Sequence, residues 1–163
     1  MPITNLCVQR QYNNKCTLSA VQSDLTKPRI PFHQPTSMSK HETPLTRKYW
    51  QSVGGTLVEE FPVVRRTSSS AQRLLDGLIV LDGNNRIAKA EEVTIEGMDV
   101  IVLQTKANRL GMYLMGQAFF SRELVKAFKP KSIRTVAICA QDDSEMHTLC
   151  KQFQIEVVIY QAG

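Results

Sequence analysis

The spacing of apolar residues predicts a helix where regular patterning of the chain begins. Thr43 has the side chain of a helix N-cap, and Pro44 would occupy the first helical position, where its missing N–H costs nothing. The apolar residues that follow recur at helical spacing and share one face: Leu45, Tyr49, Trp50 and Val53. Gly54-Gly55 predicts the end of this helix.

Two apolar runs after this helix predict strands. Thr56 to Val64 is the first, and it carries two adjacent acids, Glu59 and Glu60. Leu74 to Leu81 is the second. A polar loop, Thr67-Ser68-Ser69-Ser70, separates the two runs and predicts a surface connection.

The next segment predicts a turn and further strands. Asp82-Gly83-Asn84-Asn85 has the composition of a hairpin turn. Arg86 to Ile95 is then an outgoing strand, Glu96-Gly97 a turn, and Asp99 to Thr105 the return strand. Three strands in succession imply an antiparallel meander.

Leu110 to Phe128 predicts the longest helix, which ends at Lys129-Pro130. This helix is apolar on most of its circumference, so we expect it to be buried against the sheet on one side and against something else on the other. A second subunit is one candidate. Gly111 and Gly116 each cost about 1 kcal/mol relative to alanine in a helix interior, which suggests a close backbone approach there.

The last third predicts a strand, a helix and a strand joined by a parallel crossover: Ile133 to Ala140, Ser144 to Phe153 and Ile155 to Tyr160. The predicted order is α-β-β-β-α-β-α-β. The chain is therefore expected to be an α/β protein with a mixed central sheet flanked by helices. Asp142-Asp143 precedes a helix, where acids commonly cap the N-terminus, so we interpret this pair as a cap rather than a metal site.

Residues 1–41 lack any sustained period and contain four prolines among asparagine, glutamine, serine and threonine. This composition predicts a flexible N-terminal arm, with the α/β domain occupying residues 42–163. Met38, followed by Ser-Lys-His-Glu, also resembles a translation start, which leaves the purpose of residues 1–37 open.

The chain has 163 residues, 42% of them apolar, enough for one packed domain with a tail. No stretch approaches the roughly 18 apolar residues of a membrane span, and the N-terminus lacks a signal arrangement, so a soluble, cytoplasmic protein is expected. The four cysteines and three histidines show no zinc-binding spacing, and Cys139 and Cys150 are interpreted as buried small hydrophobic residues.

The net charge of +5 supports nucleic-acid binding weakly, because residues 1–37 carry +3 of it. Binding of nucleic acid would therefore depend on a local cluster of positive charges. Arg65, Arg66 and Arg73, which flank the serine-rich loop, are the candidates for contacts with phosphate.

Polar residues interrupt two of the apolar runs. Asp76 lies within Leu74 to Leu81, and Gln104-Thr105-Lys106 directly follows Val100 to Leu103. An unpaired polar group in an apolar environment costs about 2–7 kcal/mol, so each of these residues needs a partner or a metal ion. Strand alternation puts Gln104 and Lys106 on one face, and Asp76 on a neighbouring strand can face them.

This arrangement resembles the PD-(D/E)XK nuclease superfamily over residues 43–160. In that family an acid on or near the first helix or strand, an Asp on the second strand and an acid-x-Lys on the third surround magnesium. Asp76 matches the Asp, Gln104 takes the place of the second acid, Lys106 matches the Lys, and Glu60 or Glu59 would be the upstream acid. The resemblance implies a restriction endonuclease-like core.

The resemblance also implies a metal-dependent endonuclease that hydrolyses DNA with Mg²⁺, or with Mn²⁺ as a substitute. Asp76, Gln104 and Glu60 would hold the metal, and Lys106 would activate water. Arg109, Tyr113 and Gln117 fall at i, i+4 and i+8 and would support the site. Since a duplex offers two backbones, cleavage of both strands would need a homodimer or higher oligomer.

Gln104 departs from the family pattern because its amide brings no negative charge. The alternative expectation is therefore a catalytically degenerate protein of the same fold, acting as a nucleic-acid-binding or scaffold module.

Overall fold

The computed structural model of this chain describes residues 40–161. The predicted arm, apart from residues 40 and 41, and the possible start at Met38 lie outside the described residues. The helices of the described part are α1 (Glu42–Val53), α2 (Met112–Val125) and α3 (Ser144–Gln152). No helix between residues 40 and 161 has both the length and the apolar character that crossing a bilayer requires.

Eight strands lie within the described residues, and six of them form one mixed sheet in the order β5-β1-β4-β6-β7-β8. Their bounds are β1 Thr56–Glu59, β2 Pro62–Val64, β3 Arg73–Leu74, β4 Gly77–Val80, β5 Arg86–Ala88, β6 Asp99–Arg109, β7 Ser132–Gln141 and β8 Ile155–Ile159. β2 and β3 form a separate two-stranded ladder. The α/β class and the mixed central sheet flanked by helices are thus confirmed.

The antiparallel half of the sheet consists of β1, β4 and β6, so the predicted meander through residues 86–95 is wrong in its strands. The parallel half consists of β6, β7 and β8. β6 lies at the centre, where Val100, Ile101, Val102 and Leu103 are fully buried. A strand buried on both faces needs such a continuous apolar run. The crossover through α3 from β7 to β8 is present as predicted.

The predicted hairpin at residues 82–85 is wrong. β4 pairs with β6 and β1, while Arg86–Ala88 crosses to the far edge of the sheet and pairs in parallel with β1. Residues 89–95 are not a strand, and a short 3₁₀ helix, Ala90–Glu92, replaces the rest of the predicted strand. The physical reason is competition, because the longer and more apolar β6 takes the position beside β4.

α1 covers one face of the sheet through the residues predicted from their spacing. Tyr49 is buried, and Leu45, Trp50 and Val53 pack against the same apolar cluster as Leu57, Ile79, Ile101 and Leu103. The helix begins one residue before the predicted cap, at Glu42, and His41 at the N-cap makes no side-chain capping bond. Gly54 ends the helix, as the sequence predicted.

α2 covers the other face but is less buried than predicted. Leu114, Ala118, Ser121 and Val125 face the interior, whereas Met112, Tyr113 and Phe120 are 78%, 71% and 66% exposed. The predicted close approach at the helix glycines is also wrong. A Cβ added at Gly116 would meet nothing within 4 Å, and one added at Gly111 would meet only a backbone oxygen at 4.0 Å.

The capping role predicted for Asp142-Asp143 is confirmed for Asp143 and not for Asp142. Asp143 is the N-cap of α3, and its carboxylate accepts a hydrogen bond from the Met146 N–H over 3.1 Å. Asp142 instead contacts the imidazole of His147 at 3.0 Å. Cys139 and Cys150 are buried, free thiols in the cluster beneath α2 and α3.

Candidate functional site

One cavity of about 630 Å³ gathers most of the residues singled out in the sequence. It lies where the end of β6 meets the start of α1, the bend before β4 and the outer face of α2. Its polar lining includes Glu42, Glu60, Asp76, Gln104 and Lys106. Asp76 and Lys106, which had to share a side of the sheet for the sequence-based hypothesis to hold, line the same space.

Asp76 occupies a bend immediately before β4, and not the middle of a strand as predicted. Gly77 follows the bend. A Cβ at Gly77 would lie 3.0 Å from Thr46 and 3.2 Å from Leu103, so these neighbours would have to shift by a few tenths of an ångström to admit it. The Thr105 N–H donates a hydrogen bond to Asp76 Oδ2 over 2.7 Å, so β6 fixes the position of this carboxylate directly.

Burial is the main influence on Asp76, and it raises the pKa of this carboxyl from 3.8 to about 6. The hydrogen bond from Thr105 and the positive charge of Lys106 lower the same pKa, and the negative charges of Glu42 and Glu60 raise it. The balance shows that three carboxylates are close enough to interact. Such a perturbed acid in a cleft is typical of functional sites.

Lys106 forms an ion pair with Glu42, at 2.9 Å between Nζ and Oε1. The side chains are 28% and 12% exposed, so the pair is partly shielded from water. Glu42 is a residue of this cavity that the sequence analysis did not single out. It lies immediately before the predicted cap Thr43, and an acid near the first helix also fits the family pattern, whereas the predicted upstream acids were those of the following strand.

Gln104 is 2% exposed and is held from α2, because its Nε2 donates to Ser121 Oγ over 2.9 Å. Its Oε1 is buried and has no hydrogen-bond partner within residues 40–161, and the same holds for Oε1 of Gln117. Both glutamines line the cavity. An unsatisfied buried acceptor costs about 1–3 kcal/mol, so each of these two oxygens calls for a partner such as a water molecule, an ion or a ligand.

The two adjacent acids at the end of β1, Glu59 within the strand and Glu60 after it, make different contacts. Glu60 lines the cavity and has a backbone φ of +51°, which is uncommon for a residue with a side chain. Glu59 instead forms a two-point ion pair with Arg47 at 2.8 and 2.9 Å. Of the two predicted alternatives for the upstream acid, only Glu60 therefore faces the cavity.

Of the three residues predicted to support the site, two line the cavity and one does not. Tyr113 and Gln117 line the cavity from α2. Arg109 does not, because it is the last residue of β6 and its guanidinium donates to the Asp142 carbonyl over 2.8 Å. Arg109, Tyr113 and Gln117 therefore do not share one helix face as predicted, because α2 begins only at Met112.

The arginines belong to the small β2–β3 hairpin beside the cavity. Arg73 lines the cavity, while Arg65 and Arg66 are exposed on the connecting loop. Thr67 organises that loop, since its N–H donates to the Ser70 carbonyl over 2.9 Å and its hydroxyl accepts from the Ser70 N–H over 3.0 Å. No acid occurs between Phe61 and Leu75, so the hairpin is a positively charged projection.

The oxygen donors of the cavity are of the type that Mg²⁺ prefers, namely carboxylates and an amide carbonyl. The Oε1 of Gln104 has no partner among residues 40–161, but it is covered, so a cation would reach it only after the side chain or its neighbours move. Among residues 40–161 no group of three or more His, Cys, Asp or Glu side chains is already arranged to hold a metal ion.

Comparisons with protein-family models, with curated proteins and with solved structures gave no significant match to this chain.

Proposed function

We propose that this chain is a metal-dependent endonuclease that hydrolyses phosphodiester bonds of DNA, built on a restriction endonuclease-like core. The observation that carries the proposal is the cavity in which the carboxylates of Glu42, Glu60 and Asp76 lie beside the amide of Gln104 and the ammonium of Lys106. The order of acid, Asp and polar-x-Lys along the chain supports the same function.

In this proposal Asp76, Gln104 and Glu60 hold Mg²⁺, or Mn²⁺ in its place, and Glu42 adds a further carboxylate. The cation supplies charge neutralisation at the scissile phosphate when it is bound. The Thr105 N–H keeps Asp76 in place, and Ser121 keeps the side chain of Gln104 in place. These contacts preorganise the oxygen donors before the substrate arrives.

Lys106 positions the attacking water. Its Nζ donates to Glu42, at 2.9 Å, and the side chain lines a cavity large enough for water and a phosphate oxygen. Glu42 in turn accepts from the ammonium and fixes its orientation. Arg73, with Arg65 and Arg66 on the adjoining loop, would contact the phosphates on either side.

A cleavage assay tests the proposal. Supercoiled plasmid and branched DNA are incubated with Mg²⁺, with Mn²⁺ and with a chelator, and nicked or shortened products are quantified. We expect cleavage with either cation and none with the chelator. Asp76→Asn and Lys106→Met should each reduce the rate at least 100-fold, because each removes a group that acts at the reacting phosphate.

The matched controls are Asp82→Asn and Lys151→Met, which make the same changes at exposed residues outside the cavity. These controls should cleave as the wild type does. Metal-independent cleavage, or equal rates for Asp76→Asn and the wild type, would contradict the proposal.

A second function is a non-catalytic nucleic-acid-binding or scaffold module. Two observations favour it: Gln104 is neutral where the family pattern has an acid, and Lys106 is already paired with Glu42. Gln104→Glu separates the two functions, because restoring the acid should strengthen Mn²⁺ binding, measured by calorimetry, and increase cleavage if the site is catalytic. DNA binding without cleavage in both the wild type and Gln104→Glu would favour the module.

A further inference from the structure

α2 presents large apolar side chains to the cavity instead of burying them. Tyr113 and Phe120 are 71% and 66% exposed, and both line the cavity that contains Asp76 and Lys106. Single exposed apolar residues are normal on a protein surface, whereas neighbouring ones that line a concave site are typical of binding surfaces. Their position makes the apolar surface continuous with the candidate site.

Gly116 lies between these two aromatic residues on the helix. Tyr113 is three residues before it and Phe120 four residues after it, so all three share one face. A Cβ at Gly116 would meet nothing within 4 Å, so packing within the described residues does not require glycine there. Glycine nevertheless costs a helix about 1 kcal/mol relative to alanine. The absent side chain leaves an open notch between the rings, whose Cα atoms are about 10.5 Å apart along the helix.

The ring of Phe120 is oriented by neighbours. It makes a T-shaped contact with Phe119, at 5.4 Å between centroids, and Phe119 makes another with Phe153 at 5.6 Å. Arg122 lies 5.1 Å from the Phe119 ring. A ring held by such contacts loses little further conformational freedom when a ligand stacks on it.

A hydrogen-bond acceptor lies next to the notch. Gln117 follows Gly116, lines the same cavity and is only partly buried, and its Oε1 has no partner in the described part of the chain. This oxygen is now covered, and rotation of the side chain would bring it to a ligand in the notch. The matching ligand is therefore flat and aromatic and carries N–H donors on its edge. A nucleobase has this chemistry, and its attached phosphate would lie toward the charged end of the cavity.

We propose that Tyr113 and Phe120 form a stacking subsite for an unpaired nucleobase over Gly116. The inference rests on the proposed function, because it names the substrate form that the same cavity takes. A base inside a duplex is stacked on its neighbours and cannot reach the rings. The protein should therefore favour single-stranded or locally unpaired DNA over a continuous duplex.

A second copy of the chain fits this surface less well than a base. The rings line the cavity that also contains Asp76, Lys106 and Glu60, so a protein partner seated on them would bury these charges. Burying charges without matched partners is costly. A nucleotide brings both a flat ring and a charged phosphate to the same cavity.

The test measures binding with a chelator present, so that cleavage does not contribute. Single-stranded DNA containing 2-aminopurine reports stacking through loss of fluorescence, and a paired duplex with the same base is the comparison. We expect the wild type to quench the single strand and to bind it more tightly than the duplex. Phe120→Ala and Tyr113→Ala should each weaken single-strand binding about 5-fold to 150-fold.

Three further variants separate stacking from structural effects. Phe120→Tyr retains a ring and should retain quenching, and Ile87→Ala, at an exposed apolar residue on β5, should bind as the wild type does. Gly116→Leu fills the notch. It should abolish quenching while leaving the thermal midpoint unchanged or higher, because the added side chain meets open space and favours the helix.

Unchanged quenching in Gly116→Leu and Phe120→Ala would overturn the inference. So would a loss of self-association in these variants, measured by sedimentation, with DNA binding unaffected, since this face would then be a dimer contact. If either of these two results is found and all variants still cleave DNA in a metal-dependent way, the stacking subsite is wrong and the proposed function stands. Absence of metal-dependent cleavage together with normal quenching would refute the proposed function and retain the base subsite.

Discussion

At the scale of single residues, Asp76 is a largely buried carboxyl whose ionisation is opposed by its surroundings. Its carboxylate is fixed by one backbone N–H and lies near Glu42 and Glu60, both of which oppose its ionisation. A structure selected for stability alone would use a neutral side chain there. Active sites commonly sacrifice stability in this way, because a charged donor set is needed for the ligand and not for the fold.

Replacing Asp76 by Asn should therefore stabilise the metal-free protein at pH 8. The pKa of Asp76 is about 6 in the folded protein and 3.8 in the unfolded chain. The folded state therefore has its full stability below pH 3.8, where the carboxyl is protonated in both states, and loses stability as the pH rises through 6. Asn imitates the neutral form, so we expect the variant to be up to about 3 kcal/mol more stable at pH 8. Urea unfolding with a chelator, repeated from pH 8 to pH 3.5, measures the difference.

The difference in free energy of unfolding between Asp76→Asn and the wild type should decrease steadily as the pH falls from 6 to below 4. The control is Asp82→Asn, whose residue is exposed in a turn and should change the free energy of unfolding little at any pH. A variant that is less stable than the wild type at pH 8 would show that the hydrogen bond and the charge of Lys106 outweigh burial.

The pair of Glu42 and Lys106 provides a second test at this scale. Because the two side chains are only 12% and 28% exposed, their interaction is screened less than that of a surface pair. A double-mutant cycle with Glu42→Gln and Lys106→Met should give a coupling energy above about 1 kcal/mol. Equilibrium unfolding in urea supplies the four free energies.

Arg134 and Glu156 offer the matched control for this cycle. They are also 2.9 Å apart, but their side chains are 51% and 46% exposed. Their coupling should fall within the roughly 0.2–1 kcal/mol of exposed pairs. Equal coupling in the two cycles would mean that the cavity does not shield Lys106 from solvent.

At the scale of elements, the turn from α1 to β1 determines how the first helix lies on the sheet. Gly54 ends the helix, with its N–H bonded to the Trp50 carbonyl over 2.7 Å, and Gly55 follows with φ of +82°. The Trp50 indole N–H also donates to the Gly55 carbonyl over 2.8 Å. This turn brings Glu42, at the opposite end of α1, to the cavity.

Gly55→Ala should be among the most destabilising single changes in this turn. A Cβ there would collide with the backbone carbonyl of Val80 on β4, and a backbone oxygen in a sheet cannot move aside. We expect a loss of at least about 2 kcal/mol, from left-handed strain and from the clash together. Thermal and urea unfolding would measure it.

Gly97→Ala isolates the backbone contribution. Gly97 also has a positive φ, +73°, but a Cβ there meets nothing within 4 Å, so its replacement should cost only about 1 kcal/mol. If both alanine variants lose the same free energy of unfolding, the clash of the added Cβ with β4 does not contribute to the destabilisation of Gly55→Ala.

At the scale of the whole molecule, the position of charge matters more than its sum. The described domain is only mildly basic, yet the β2–β3 hairpin places three arginines and no acid beside the cavity. Acids dominate inside the cavity itself. A nucleic-acid backbone would thus be attracted mainly at one edge of the site.

Removing Arg65, Arg66 and Arg73 together should weaken DNA binding and reduce its salt dependence. If each arginine contacts a phosphate, the slope of log affinity against log salt should fall by about 2–3 in magnitude. The control removes three exposed lysines elsewhere, Lys126, Lys131 and Lys151, for the same change in net charge. A drop of equal size in both triple variants would show that net charge, and not the hairpin, governs binding.

The sequence by itself determined the local elements of this protein. Helical spacing identified the face of α1 that packs on the sheet, and unbroken apolar runs identified β6, β7 and the crossover to β8. It also singled out Asp76, Gln104 and Lys106, because polar residues next to buried runs need partners. These features follow from neighbours along the chain, whose burial pattern is repeated at a short period.

Only the tertiary structure decided which distant elements became neighbours. It placed Glu42 against Lys106, moved β5 to the far edge beside β1, separated Arg109 from the cavity and left the rings of α2 exposed. Local periodicity shows that a residue is buried but not what buries it. Strands compete for the same partners across long separations in sequence, and the outcome depends on the summed packing of the whole sheet.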